Sequence, residues 1–346
     1  MNTHELVRTA QALVARKKGI LAADESNPTI EKRLQSINVV ATPETRRAWR
    51  QLLLTTPGIN SFISGVILSD ETVRQKSDGG VSFVDVLASQ SIIPGVKVDK
   101  STRPLANSPE ESITEGIDGL RERLNDYRIM GARFAKWRAV FTIGPHIPTS
   151  YCLDVNAQAM ARYAAICQEA GIVPIVEPEV LMDGDHDIKR CFEVTEATLY
   201  RMFDELVGQR VLLEGMLLKP NMVLSGKSGA NRAGPDEAAE ETLRCLRRTV
   251  PAAVPGIVFL SGGQEDYEAT INLNAINRRG QDAPWQLSFS YGRGLQSTPL
   301  KAWGGDPNNV ERAQQSFQHR AQVTSAAREG IYTPAMEKET KAVGSR

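Results

Sequence analysis

Short apolar runs recur along the chain, each closed by Gly, Pro, Asp or Ser. Eight of them read as buried strands: 19–24, 62–68, 94–98, 133–140, 172–177, 213–219, 257–260 and 287–290. Most carry Ile, Val, Leu or Phe at successive positions, as strands covered on both faces do. Between them the apolar spacing changes to the helical one, most clearly at 155–169, 189–207, 236–249 and 264–274, with a terminal helix at 310–328. Asp154 and the Pro235-Asp236 pair are the predicted helix starts. Alternation of strand and helix repeated this often predicts a parallel sheet of the α/β class. Eight strands point to a closed (β/α)8 TIM barrel, with an open doubly wound sheet as the alternative.

No Pro- or Ser-rich linker divides the 346 residues, so a single barrel domain is expected over 1–333. A polar tail, expected to be mobile, follows at 334–346. One barrel with extra segments can exceed roughly 300 residues. Lys plus Arg and Asp plus Glu are each 41, a formal net charge of zero. Nothing in that balance asks for a nucleic acid or an anionic membrane as partner. Cys152, Cys167, Cys191 and Cys245 are widely spaced and form no C-x-x-C pair, which argues for reduced thiols. The first twenty residues contain no apolar stretch of signal-peptide length, and no run approaches the ~18 apolar residues of a membrane span. A cytoplasmic location is therefore expected. Asn27-Pro28-Thr29 has proline at its centre and is disqualified as a glycosylation acceptor.

The placing of charge changes the picture. Asp24 ends the first strand, Lys97 sits in the third, and Lys136 and Arg138 sit in the fourth. Glu177 ends the fifth with Glu179 two residues on, Lys219 ends the sixth, and Arg293 follows the eighth. A charge in a buried strand costs several kcal/mol unless it is paired. Strand alternation puts Lys136 with Arg138, and Glu177 with Glu179, on shared faces. In a closed barrel these side chains can converge at the C-terminal mouth, where barrel enzymes place their chemistry. Any one of them could instead cap its strand and reach solvent. Repetition on six strands strains that bland account.

Lys219 follows Met216-Leu217-Leu218 and precedes Pro220, which has no N–H and so ends the strand. Desolvation and neighbouring cations both favour the neutral amine, the form that attacks a carbonyl. The resulting iminium would act as an electron sink for an adjacent C–C bond. A lysine snorkelling to the rim would give the same pattern.

The segments LAADES (21–26), KRLQSI (32–37), GVKVDK (95–100), ARFAKWR (132–138), VEPE (176–179), LLKPNMV (217–223), LSGGQ (260–264) and SYGRGL (290–295) resemble those of class I fructose-bisphosphate aldolases. Order and spacing match the family from about residue 5 to about residue 333. The resemblance implies a (β/α)8 barrel, commonly a homotetramer. Such enzymes cleave fructose 1,6-bisphosphate reversibly into dihydroxyacetone phosphate and glyceraldehyde 3-phosphate, and need no metal or other cofactor. It further implies that Lys219 is the Schiff-base lysine and Glu177 the general acid/base. By the same resemblance Asp24 hydrogen-bonds the C4 hydroxyl and assists cleavage, Lys136 stabilises charge, and Glu179 orients its neighbours. Ser261, Gly262 and Arg293 match the C1-phosphate site. Ser26, Arg33 and Lys97 match positions near the sugar bisphosphate and its second phosphate, with Arg46 and Arg138 as further substrate contacts. A carboxylate with a raised pKa would suit the proton transfers. The Gly262-Gly263 turn leading to the helix at 264 can offer N–H donors to a phosphate.

The sequence departs from the family at three places. Thr29 stands where a serine is usual, Asn27-Pro28 replaces a small flexible pair, and the chain ends in VGSR without the C-terminal tyrosine of many members. That tyrosine assists proton exchange on the bound triose and favours the bisphosphate over fructose 1-phosphate, so the resemblance leaves those two properties open.

Other patterns are weaker. Asp183, Asp185, His186 and Asp187 could suggest metal ligands, but DxD spacing is common in polar loops that open helices. His4, His146, His186 and His319 are too scattered for a histidine-rich zinc site. SGKSG at 225–229 would need glycine at 221 to complete a phosphate loop, and Asn221 is there. GRGLQS at 292–297 lacks the third glycine of a dinucleotide fingerprint. Trp137 points away from Lys136 and reads as helix-side packing. The competing functions are another lysine-Schiff-base enzyme, of transaldolase type or acting on another sugar phosphate, and a barrel kept as an interaction scaffold.

Overall fold

A computed structural model describes residues 2–338. The strands are β1 (Gly19–Ala23), β2 (Ile63–Leu68), β3 (Ile93–Lys97), β4 (Phe134–Phe141), β5 (Val173–Val180), β6 (Leu217–Leu218), β7 (Gly256–Phe259) and β8 (Gln286–Tyr291). All neighbours are parallel and hydrogen-bonded in sequence order, and β8 pairs with β1 to close the barrel. The doubly wound alternative is thereby excluded. An antiparallel hairpin, Thr102–Leu105 with Ser108–Thr114, is inserted after β3.

Alternation sorts each strand. Leu21, Val66, Val96, Trp137, Val176, Leu218, Phe259 and Phe289 face the surrounding helices in the large core. Ile20, Ala22, Ile67, Phe134, Val173, Ile175, Leu217 and Val258 form a separate cluster inside the barrel. Leu6, Ala10 and Leu13 belong to that inner cluster too. They lie on α1 (Thr3–Leu13), whose apolar face thus seals the N-terminal end of the barrel. The turn from α1 into β1 leaves several carbonyls turned inward. Ser64 Oγ donates to Leu13 O at 2.5 Å, Ser325 Oγ to Lys17 O at 2.6 Å, and Arg328 Nη2 to Val14 O at 2.8 Å. These donors satisfy backbone groups that burial would otherwise penalise.

Several boundaries differ from expectation, and the fifth strand runs on to Val180 rather than ending at 177. The strand expected at 213–219 is a 3₁₀ turn, Leu213–Gly215, followed by two strand residues, because Pro220 removes the next ladder donor. The helix expected from 155 starts at Ser150, where Thr149 caps it through Cys152 N at 3.2 Å, so Asp154 lies within the helix. The helix expected from 264 is Asp266–Arg279. The terminal helix is Val310–Arg328, as its pattern predicts. A 3₁₀ turn, Pro334–Glu337, opens the expected polar tail. Residues 339–346, including the chain end without tyrosine, lie outside the described ones.

Phe134 is fully buried among the inner residues. Phe134→Ala should cost about 3–5 kcal/mol, since nothing nearby can fill so large a void. Urea unfolding at neutral pH would measure the loss as a lowered midpoint at unchanged slope.

Candidate active site

On β1, β3, β4, β5 and β6 the inward positions change character along the strand. Below, they are apolar; at the C-terminal ends they are Asp24, Lys97, Lys136, Arg138, Glu177, Glu179 and Lys219. These side chains line a cavity of about 620 Å³ in the barrel mouth. Lys219 is held there by its backbone: its N–H donates to Val176 O on β5 at 2.8 Å, and Pro220 O accepts from Leu260 N at 3.1 Å. The short strand β6 is therefore pinned on both sides where the side chain leaves it.

Asp24, Lys136, Glu177 and Lys219 are all buried and form one chain of charges. Lys136 Nζ lies 2.9 Å from Asp24 Oδ2, and Lys219 Nζ lies 3.1 Å from Glu177 Oε1. Lys136 Nζ is also 3.0 Å from Glu177 Oε2, within ion-pair range but off the hydrogen-bond direction. Burial alone would raise the Asp24 carboxyl. The charges of Lys136, Lys219 and Lys97 outweigh it and hold the group at about 2. Glu177 follows the same balance: burial pushes its pKa up, and Lys136, Lys219 and Arg138 bring it below the usual carboxylate value. The raised pKa expected for a proton-transfer carboxylate is therefore not found in the unliganded site. Burial works against the Lys136 ammonium, but Asp24, Glu177 and Asp99 raise its pKa overall. Lys219, expected among cations, has a carboxylate against its amine as well.

A second layer surrounds this chain. Arg138 Nε is paired with Glu179, and Lys97 Nζ lies 2.6 Å from Asp99 Oδ1. Asp99 Oδ2 accepts from the backbone N–H of Arg138 at 3.3 Å and so ties β3 to β4. Glu25 is buried between the guanidinium groups of Arg33 and Arg50 and accepts from Gln296 Nε2 at 2.8 Å. Ser26 Oγ is 3.0 Å from Thr29 Oγ1, so the unusual threonine keeps a hydroxyl at the rim. Across the mouth, Ser261, Gly262 and Gly263 form the turn after β7. A Cβ on Gly262 would lie 2.4 Å from Glu179 Oε1, so glycine alone lets this backbone approach the carboxylate. The turn precedes its helix by two residues rather than opening it, since that helix is capped at Glu265.

The structure gathers Asp24, Ser26, Arg33, Lys97, Lys136, Arg138, Glu177, Glu179, Lys219, Ser261, Gly262 and Arg293 around one cavity. Arg46 does not line it: Glu71 engages its guanidinium through two bonds of 2.6 and 2.8 Å. Sequence reasoning missed Glu25, Asp99, Asp183 and Lys227, which also face the cavity. Asp99 shares strand parity with Lys97 and could have been found that way. Asp187 accepts from Arg190 N at 2.8 Å and caps the helix Ile188–Gly208, so the acidic loop does open a helix. Trp137 lies outside the barrel and stacks on Tyr163 at 5.4 Å.

A closed parallel barrel with a buried lysine against a carboxylate at its mouth is the architecture of a carbonyl-chemistry lyase. The sequence model of class I fructose-bisphosphate aldolase matches residues 5–345. The chain is 55% identical to a probable class 1 fructose-bisphosphate aldolase of Xanthomonas campestris, over 94% of this chain and 98% of the relative. It is 52% identical to the cytosolic fructose-bisphosphate aldolase 4 of Arabidopsis thaliana, over 96% and 84% respectively. The fold superposes on the Plasmodium falciparum fructose-bisphosphate aldolase, solved in a ternary complex with TRAP and an inhibitor, with a TM-score of 0.94, 48% identity and 95% coverage of both chains. The chain belongs to the class I fructose-bisphosphate aldolase family, lyases that work through a lysine Schiff base.

The depressed Asp24 pKa has a sign that can be checked. Its stabilisation is complete above the ordinary value of 3.8 and is lost as pH falls through about 2. Asp24→Asn removes this contribution. The variant should be less stable than wild type at pH 5, and the gap should narrow by roughly 1 kcal/mol at pH 3. Urea midpoints of both proteins at the two pH values measure it.

Proposed function

We propose that Lys219 is the Schiff-base nucleophile of fructose 1,6-bisphosphate cleavage and that Glu177 and Asp24 move the protons. The observation that carries this reading is the single Glu177 carboxylate lying against both lysines, 3.1 Å from Lys219 and 3.0 Å from Lys136. Glu177 Oε1 is placed to take the Lys219 ammonium proton, and its low pKa keeps it ionised until then. The free amine attacks C2 of the open-chain sugar. Glu177 returns the proton to the carbinolamine oxygen, which leaves as water and yields the iminium. Asp24 accepts the hydrogen bond of the C4 hydroxyl and draws its proton as the C3–C4 bond breaks. The bonding electrons flow into the iminium, so the lysine-bound half becomes an enamine while C4 departs in glyceraldehyde 3-phosphate. Asp24 releases its proton to solvent, C3 takes one from solvent to regenerate the iminium, and water hydrolyses that iminium to free dihydroxyacetone phosphate and the amine.

Lys136 opposes the build-up of negative charge between Asp24 and Glu177, and Glu179 with Arg138 sets the wall beside them. Ser261, Gly262 and Arg293 take the C1 phosphate. Ser26, Arg33 and Lys97, which line the same cavity, take the other phosphate. A cytoplasmic location belongs to the same proposal, supported by the cytosolic Arabidopsis relatives. No helix among the described residues is long and apolar enough to cross a membrane. A homotetramer is proposed as well. Exposed Tyr200 and Val207 on the helix Ile188–Gly208 leave apolar surface for a partner subunit to cover.

Trapping tests the chemistry. Dihydroxyacetone phosphate followed by sodium borohydride should leave a reduced adduct on the peptide containing Lys219. Lys219→Ala should lose both the adduct and at least a thousandfold in kcat, on the order expected for a covalent nucleophile. An adduct on another lysine, or near-normal turnover by the variant, would overturn the assignment. Light scattering on the purified chain should give the mass of four subunits.

A further inference from the structure

The loops after β5 and β6 are zipped together. Lys227 N donates to Met182 O at 2.7 Å, Gly226 N to His186 O at 2.7 Å, and Ser228 N to Gly184 O at 2.9 Å. The contact is close enough that a Cβ on Gly226 would lie 2.4 Å from Gly184 O. Met182, in turn, packs on the turn after β7, 3.0 Å from where a Gly263 Cβ would stand. Lys227 is therefore fixed, by backbone bonds, beside the Ser261–Gly263 turn, and its exposed side chain faces the cavity.

Charge accounting singles this lysine out. Arg33, Lys97, Lys136, Arg138 and Lys219 each face a carboxylate within salt-bridge distance. Among the described residues, Lys227 and Arg293 have no such partner; Asp183 also lines the rim but forms no salt bridge with either. A phosphate dianion entering the mouth gains most from cations that no carboxylate already neutralises. We infer that Lys227 is a further substrate-binding residue, which joins Arg293 in holding the C1-phosphate end of the sugar. The inference rests on the aldolase reading given above. It assigns a role to a segment, SGKSG, that completes no phosphate-loop motif. It also gives this chain a means of gripping the phosphate common to fructose 1,6-bisphosphate, fructose 1-phosphate and dihydroxyacetone phosphate. As a flexible ammonium at a wet rim, Lys227 adds attraction before and during binding without touching the reacting carbons.

The test compares wild type, Lys227→Gln and Lys227→Arg. In Lys227→Gln, KM should rise about threefold to tenfold for fructose 1,6-bisphosphate and for fructose 1-phosphate alike, with kcat unchanged, as for loss of an exposed charge pair. The rise should shrink as salt is added, because screening removes the same attraction in wild type. Lys227→Arg should restore KM. An unchanged KM in Lys227→Gln would overturn the role, and a rise confined to the bisphosphate would overturn the assignment to the C1 end. Circular dichroism checks that the variants are folded. Failure of the aldolase reading itself would appear separately, as a wild-type protein that neither turns over these sugars nor yields the borohydride adduct.

Discussion

Ionised side chains taken out of water must neutralise one another, and the barrel mouth is organised by that requirement. Neither lysine nor either carboxylate of the Asp24–Lys136–Glu177–Lys219 chain stands alone: removing Lys136 would leave Asp24, and removing Glu177 would leave Lys219, as a buried charge without its ion pair. The pKa directions follow from this chain rather than from burial by itself. Burial opposes the charged state of Asp24, Lys136 and Glu177, and in each case opposite charges prevail. The resting site therefore holds ready-made bases beside cations. A substrate that pulls a proton from one member changes the balance felt by the others.

The second ring of pairs extends the same logic outward. Glu25 neutralises Arg33 and Arg50, while Asp99 joins Lys97 to the backbone of β4. The Arg33 and Lys97 stems are thereby fixed at the cavity wall. Charged groups that have lost their freedom in this way meet a ligand without further ordering cost.

Much of this was legible because a barrel strand has a period of two. Lys136 with Arg138 and Glu177 with Glu179 could be placed on one face from spacing, strand–helix alternation pointed to a parallel sheet, and the count of eight favoured a closed barrel over a doubly wound sheet. Roles required the family's motifs, since spacing alone left Lys219 open to a rim-snorkelling account. Glu25 was not legible: it sits beside Asp24 on the opposite parity, past the end of β1, where period-two reasoning fails. Lys227 lay in a loop whose position depends on three backbone hydrogen bonds to another loop, and no side-chain pattern encodes those. Arg46 was drawn to the site by resemblance but is held by Glu71, a partner 25 residues away that sequence spacing does not reveal. The 3₁₀ turn at Leu213–Gly215 carried the apolar composition of a strand, and only the ladder shows that β6 is two residues long.

The plug formed by α1 has a consequence for traffic. Leu6, Ala10 and Leu13 close the far end, so the lumen is a vessel with one doorway. Reactant, both trioses and the water that severs the covalent bond must all share that opening.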